Sequence, residues 1–376
     1  MSLATDTTER HAPREHKASA KPDKTCAKGG EGMVYVDDRE PGITRRLKGA
    51  GFAYFDAKGR PIRDARSLRR LRALAVPPAY SEVWICPDPN GHLQATGRDE
   101  RGRKQYRYHS RWREMAEETK YEHMLDFAIS LPRLRRRVSA DMALPGLPRR
   151  KVVATIVSLL EKTLIRVGND EYAKENESYG LTTLRNRHVR INGSELRFEF
   201  KGKGGKPWRV AVGDRRVARI VRACHELPGQ HLFQYLDAAG DTQEVTSSDV
   251  NAYLREVSGR DITAKDFRTW AGTVLAALAL CEVAAFDSVA AGRRSLRHAI
   301  EKVAKRLGNT ATICRKCYVH PQIVSAYLDG ELVANVQREI GSELRRSLRG
   351  LTAEEGAVLA FLQRRLARER RRGTRG

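Results

Sequence analysis

One stretch of this 376-residue chain repeats its apolar side chains with the period of a β-strand. Leu196-Arg197-Phe198-Glu199-Phe200 and Trp208-Arg209-Val210-Ala211-Val212 have the period of two that sends every second side chain to one face of a strand. Between them lies Lys201-Gly202-Lys203-Gly204-Gly205-Lys206, a glycine-rich turn carrying three lysines. The pair is a hairpin with Leu196, Phe198 and Phe200 on one face and a cationic tip. Around it the apolar spacing is helical, and helices are expected near 111–130, 152–167, 215–226, 248–257, 264–285 and 294–307, with a last one from Ala353. The basic segment between the first two, through Arg133, Arg135, Arg136, Arg137, Arg149 and Arg150, is punctuated by proline and reads as a loop over the partner's backbone.

Before residue 110 the pattern is different. Gly51 to Asp56 runs into the turn Ala57-Lys58-Gly59, and Val83 to Cys86 is joined to His92 through Thr96 by Pro87-Asp88-Pro89-Asn90-Gly91. These are strand and turn signals, interrupted by a helix near 67–75. Residues 1–32 hold no periodic apolar pattern and read as a disordered tail. The fold class is therefore α+β: a small β-rich N-terminal domain over 33–109, a larger mainly helical domain with one hairpin over 110–350, and a C-terminal helix with an arginine-rich tail over 351–376. No internal repeat is visible.

Lysine and arginine total 70 against 46 aspartates and glutamates, a formal charge of +24. Such an excess calls for an anionic partner, and nucleic acid fits it best. A membrane surface fits less well, because no basic amphipathic segment with an aromatic face is present. The longest apolar stretch, near 273–286, is too short to span a bilayer and carries Glu282. The N-terminus lacks the apolar core of a secretory signal. With six cysteines in no framework, this points to a reducing, cytoplasmic setting. Cys314 and Cys317 have metal or redox spacing, with His320 as a third group, but no second pair completes a zinc site and packing is the simpler reading.

Metal-dependent cutting of nucleic acid uses clustered carboxylates, and none has convincing spacing: Asp170 and Glu171 are adjacent and face apart on a helix. A metal-free route needs a nucleophile, cations for the phosphate oxygens and an acid for the leaving oxygen. Tyr318, in Arg315-Lys316-Cys317-Tyr318-Val319-His320-Pro321, is a candidate nucleophile, although a tyrosine beside basic residues is more often a packed ring.

Three further segments strengthen it. Ile165-Arg166-Val167-Gly168-Asn169 is followed by Tyr172-Ala173-Lys174-Glu175-Asn176-Glu177-Ser178-Tyr179-Gly180-Leu181-Thr182-Thr183-Leu184, then Phe200-Lys201-Gly202-Lys203, Lys265-Asp266-Phe267-Arg268-Thr269, Leu307-Gly308-Asn309-Thr310 and Tyr318. In that order these motifs resemble the type IB DNA topoisomerases of the poxvirus-like and bacterial branch, over about residues 33–330. Gly102-Arg103-Lys104-Gln105-Tyr106-Arg107-Tyr108 looks like the family's DNA-facing strand. The resemblance implies the catalytic fold shared with tyrosine recombinases. It makes Tyr318 the nucleophile, Arg166 and Arg268 the phosphate clamps, Lys203 the general acid and Asn309 a donor to a phosphate oxygen. Tyr106, Tyr108, Tyr172, Lys174, Lys201 and Lys206 become DNA-contact residues. It further implies a monomeric clamp on double-stranded DNA, a 3′-phosphotyrosyl intermediate, relaxation of supercoils without nucleotide, metal or other cofactor, no membrane partner, and a place on the bacterial nucleoid.

Physical chemistry suits these roles. Ionising a tyrosine at neutral pH costs roughly 4 kcal/mol, which two arginines on one phosphate would reduce, and a guanidinium fork can hold two oxygens. A sugar alkoxide leaves badly without a proton, which Lys203 could supply, although the glycine-rich tip could instead only touch phosphates. Relatives often carry histidine where Asn309 stands, nine residues before the tyrosine. Asn still offers an amide donor, and could equally end a helix. A tyrosine recombinase shares this plan but has histidine three residues before its second arginine, where this chain has Lys265. A DNA-compacting protein without catalysis is the remaining alternative, served by the seven arginines between 364 and 375 as a solvated tail.

Overall fold

The computed structural model describes residues 32–49, 51–100, 102–283, 287–346 and 350–373. The expected tail over 1–32, except for Gly32, and Arg375 lie outside the described residues. The chain divides into two compact units, 1–118 and 119–376.

The first unit is a five-stranded sheet built from β1 (Ile43–Lys48), β2 (Gly51–Phe55), β3 (Ser81–Ile85), β4 (Leu93–Arg98) and β5 (Lys104–Tyr108), with α1 (Ala65–Ala73) inserted between β2 and β3. The order is β2-β1-β3-β4-β5, and the pairs are antiparallel. Asp64 caps α1 by accepting from the amides of Arg66 and Ser67. Leu71 of that helix closes a core of Ile43, Tyr54, Val83, Ile85 and Ala95.

The second unit contains most of α2 (Ser110–Asp141), then α3 (Arg149–Thr163), α4 (Asp170–Asn176), the strands β6 (Val189–Asn192), β7 (Glu195–Lys201) and β8 (Pro207–Gly213), and α5 (Arg215–His225). A two-stranded ribbon of β9 (Gln234–Leu236) and β10 (Thr242–Glu244) precedes α6 (Ser247–Ser258), α7 (Ala264–Cys281), α8 (Val289–Leu307), α9 (Ala311–Tyr318), α10 (Pro321–Leu328), α11 (Leu332–Arg346) and α12 (Ala353–Gly373). The expected hairpin is present as β7 and β8, with Phe198 opposite Val210, and β6 adds a third antiparallel strand. Leu196, Phe198 and Phe200 are buried in the large helical core. Side-chain caps fix the helix starts: Asp214 for α5, Thr246 with Asp249 for α6, and Thr310 for α9. No helix among the described residues is long and apolar enough to cross a membrane.

Three expectations need correction. The basic segment after residue 130 is no loop, because α2 runs through Pro132 to Asp141 with Leu131, Leu134 and Val138 buried at helical spacing. Its Arg135 is committed to protein partners, donating to Glu161 at 2.7 Å and to both oxygens of Glu355 at 2.8 Å. The apolar helix ends at Thr163 and not at Val167, since Leu164 turns left-handed (φ 57°) and leaves Arg166 outside the helix. The first two arginines after 363 are no free tail. Arg364 binds Glu339, and Arg365 reaches Gln322 at 2.6 Å, Asp329 at 2.7 Å and Glu331 at 2.9 Å, so α12 is fastened to α11, to α10 and to the turn between them.

Beyond Leu164 the chain is extended and held by the segment after α4. The amide of Leu181 donates to the carbonyl of Arg166 at 2.9 Å, and that of Thr182 to Val167 at 2.7 Å. Gly180 permits this approach: a Cβ there would lie 2.5 Å from the amide nitrogen of Gly168 and 2.6 Å from the carbonyl oxygen of Arg166. Both are backbone atoms and cannot swing aside. Gly180→Ala should therefore destabilise the helical unit by about 1–3 kcal/mol, read as a lower urea midpoint. An unchanged midpoint would mean that the Arg166 segment does not depend on this contact.

Candidate active site

The left-handed Leu164 is uncommon for a non-glycine residue, and it turns its carbonyl toward Arg268 near the start of α7. Arg268 is 3% exposed. One of its terminal nitrogens donates to Leu164 O and the other to Leu307 O at 2.7 Å, while its Nε is buried without a partner. Both carbonyls come from helix C-terminal turns, where backbone oxygens lack intrahelical donors. The guanidinium carbon stands 5.1 Å from the centre of the Tyr318 ring.

Tyr318 is the last residue of α9. Thr273 Oγ1 donates to its carbonyl at 3.1 Å, and Gly272 lets α7 approach so closely that a Cβ there would come within 2.8 Å of that oxygen. Downstream, Tyr121 Oη donates to Val319 O at 3.1 Å. Burial alone would raise the Tyr318 phenol's pKa. The charge and hydrogen bond of Arg268, seconded by those of Arg166, outweigh it and hold the group below its ordinary value of 10.0. Burial likewise lowers the pKa of Arg268, helped by the like charge of Arg166 and opposed by Tyr318.

Arg166 donates to Asn309 Oδ1 at 2.6 Å. The left-handed residue ending α8 is Gly308 (φ 60°), so Asn309 is not itself the terminating residue. A Cβ on Gly308 would fall 2.1 Å from the Trp208 ring of β8, which seats the turn against the base of the lysine hairpin. With its oxygen held by Arg166, Asn309 keeps a buried amide nitrogen that has no partner.

Lys203 lies in the short turn at the hairpin tip and is exposed. With Arg166, Gly168, Tyr179, Lys265, Arg268 and Tyr318 it lines one cavity of about 560 Å³. The structure thus brings Tyr318, Arg166, Arg268 and Lys203 to one cleft, with Asn309 joined through Arg166. Lys201 and Lys206 are not among the residues lining it, and Lys201 stands 3.9 Å from Glu177. Lys174 is exposed on α4, and the side chain of Tyr172 lies outside the described residues. Tyr106 and Tyr108 stand on β5 in the other unit, 49% and 38% exposed, with rings stacked at 6.1 Å. Sequence reasoning missed Leu164, Gly272, Thr273 and Trp208, which place the candidate groups without carrying chemistry of their own. A pair of glycines at sites of close approach was the only available signal.

Comparison with known proteins follows the same division. Residues 109–341 match the family model described as eukaryotic DNA topoisomerase I, catalytic core, and residues 51–99 match that of the bacterial DNA topoisomerase IB, N-terminal domain. The chain is 30% identical over 293 residues to the DNA topoisomerase 1B of Acanthamoeba polyphaga mimivirus, covering 76% of this chain and 87% of that protein. It is 26% identical over 127 residues to the DNA topoisomerase 1B of Vaccinia virus (strain Copenhagen), covering 33% of this chain and 39% of the viral one.

His320, two residues beyond Tyr318, is 3% exposed, and its Nδ1 accepts from the amide of Gln322 at 3.1 Å as the cap of α10. Burial, with the charge of Lys120, lowers its pKa from 6.5 to about 4. A protonated ring would lose the acceptor that caps the helix. The folded pKa lies below the unfolded one, so the stability is complete above pH 6.5 and is lost as pH falls from 6.5 toward 4, by up to about 1.4 kcal/mol per pH unit. His320→Asn keeps a capping acceptor and should flatten that acid limb in denaturation midpoints. A limb as steep as in the wild type would remove His320 from the account.

Proposed function

Because the chain belongs to the type IB DNA topoisomerase family, and so is a DNA topoisomerase, we propose that Tyr318 is its nucleophile and that Arg166, Arg268, Lys203 and Asn309 serve the strand transfer. The observation that carries this is the convergence of two guanidiniums on the Tyr318 phenol in the cavity that Lys203 also lines. The phenolate oxygen attacks a backbone phosphorus, the phosphorus forms a bond to Tyr318, and the bond to the 5′-oxygen breaks, leaving a 3′-phosphotyrosyl link and a 5′-hydroxyl. Resealing is the same reaction reversed. Torsional strain drives the net change, because one phosphodiester replaces another.

Each group has a stated task. Arg268, with its unpartnered Nε, and Arg166 bind the non-bridging oxygens as charge grows on them. They also favour the ionised nucleophile. Asn309, its oxygen already engaged, directs its free amide nitrogen to the same oxygens. Lys203 delivers the proton to the departing 5′-oxygen. The substrate on this reading is duplex DNA held by one copy of the chain, with Tyr106, Tyr108, Tyr172, Lys174, Lys201 and Lys206 touching its backbone or bases, and the protein works on the nucleoid.

Single-turnover cleavage of a suicide duplex separates the roles. Lys203→Ala should be slower by about 10²-fold or more, and a 5′-bridging sulfur, which leaves without a proton, should restore most of the rate. Equal impairment on both substrates would leave Lys203 a phosphate contact. Asn309→Ala should lose about 10² to 10³ in rate with DNA affinity little changed, and Asn309→Asp should be slower still, because a carboxylate repels the phosphate. Wild-type speed in Asn309→Ala would leave Asn309 only as the partner of Arg166.

A further inference from the structure

We propose that the arginine cleft at the N-terminal end of α3 is a second phosphate-binding site, which takes DNA backbone outside the segment held at Tyr318. The proposal rests on DNA being the substrate and concerns a different part of the fold. A cleft of about 420 Å³ is lined by Arg133, Arg136 and Arg137 of α2, Arg150 of α3 and Glu256 of α6. Residues three and four apart on a helix share a face, so the three α2 arginines form one side of it.

Beneath them lies Asp141, 3% exposed. Its Oδ2 accepts from Arg137 Nε and Arg150 Nε, both at 3.0 Å, and from the hydroxyl of Tyr253 at 2.8 Å. The buried carboxylate therefore grips both guanidiniums by their inner edges and fixes their orientation. Arg150 also gives one terminal nitrogen to Glu256 at 2.8 Å and lies 5.5 Å over the Tyr253 ring. The terminal nitrogens of Arg137 have no hydrogen-bond partner among the described residues. Arg133 and Arg136, exposed at the rim, carry neither a hydrogen bond nor an ion pair there. Four cations face two carboxylates, which leaves an excess of two positive charges, and a guanidinium edge is suited to two phosphate oxygens at once.

Packing alone accounts for Arg137 and Arg150, which tie α2, α3 and α6 together. It does not account for Arg133 and Arg136. Along α3, Arg150 and Thr163 are thirteen residues apart, about 20 Å at the helical rise, so a phosphate in this cleft is not the one that Tyr318 attacks. An extended polyanion is the ligand that can reach both the rim and the floor of such a cleft, and the +24 chain acts on one.

The test uses the full chain with Arg133→Gln and Arg136→Gln together, both at exposed positions that bear no structural contact. Binding of a long duplex is measured against salt concentration, beside single-turnover cleavage of a saturating short duplex. The proposal expects the slope of log affinity on log salt to become shallower by about 1 to 2, since each released phosphate contact contributes about 0.9, with cleavage of the short duplex unchanged. An unchanged slope overturns it. So does a loss of cleavage on the short duplex, which would make the cleft part of the cutting site. Thermal stabilisation of the wild type but not the variant by pyrophosphate, with the slope unchanged, would assign the cleft to a small phosphate and overturn the DNA reading. A wild-type protein that cuts nothing would instead be a failure of the topoisomerase mechanism.

Discussion

The buried guanidinium of Arg268 is the interaction on which the rest of the helical unit turns. Withdrawing a cation from water is costly unless it is hydrogen-bonded, and among the described residues no carboxylate pairs with this one: its terminal nitrogens go to the carbonyls of Leu164 and Leu307. Those two oxygens end α3 and α8, so a single side chain on α7 fixes where both helices stop. The left-handed turn at Leu164 and the one at Gly308 follow from that, and each delivers a polar residue just beyond it, Arg166 in one case and Asn309 in the other. A phosphate would complete the set by supplying the negative charge that the protein omits.

Such an arrangement is more useful for a transition state than for a resting substrate. Arg166 and Asn309 are already bonded to each other, and the unpartnered donors, Arg268 Nε and Asn309 Nδ2, are already buried. Little reorganisation is left to be done when charge develops on phosphate oxygens, the condition under which fixed dipoles and cations contribute most. The same two arginines lower the pKa of the Tyr318 phenol, the group proposed to ionise, against the opposing effect of its burial. The Thr273 hydroxyl on its carbonyl and the close approach of Gly272 hold the Tyr318 backbone in place, leaving the phenol to the two arginines.

Much of this was legible in the residues. The lysine hairpin followed from the strand-period repeat of apolar side chains, and the order of short motifs around Arg166, Lys203, Arg268, Asn309 and Tyr318 pointed to one family. What was not legible depended on tertiary contacts that override local signals. Pro132 reads as a helix stop, yet buried Leu134 and Val138 and the fork of Arg135 on Glu355 carry α2 past it. The apolar run through Val167 reads as one helix, but Leu164 is turned out of it by a partner 104 residues away. Arg364 and Arg365 look like part of a solvated tail because their acceptors are remote in sequence, Glu339 on α11 and Asp329 and Glu331 in the turn after α10.

The central claim is the covalent role of Tyr318, and direct identification of the trapped adduct tests it. Wild-type protein quenched by denaturant on a duplex, digested with protease and nuclease and read by tandem mass spectrometry should carry a nucleotide on Tyr318 through its 3′-phosphate, with a free 5′-hydroxyl on the other side of the break. An adduct on any other residue, or a tyrosine joined to a 5′-phosphate, would contradict the account.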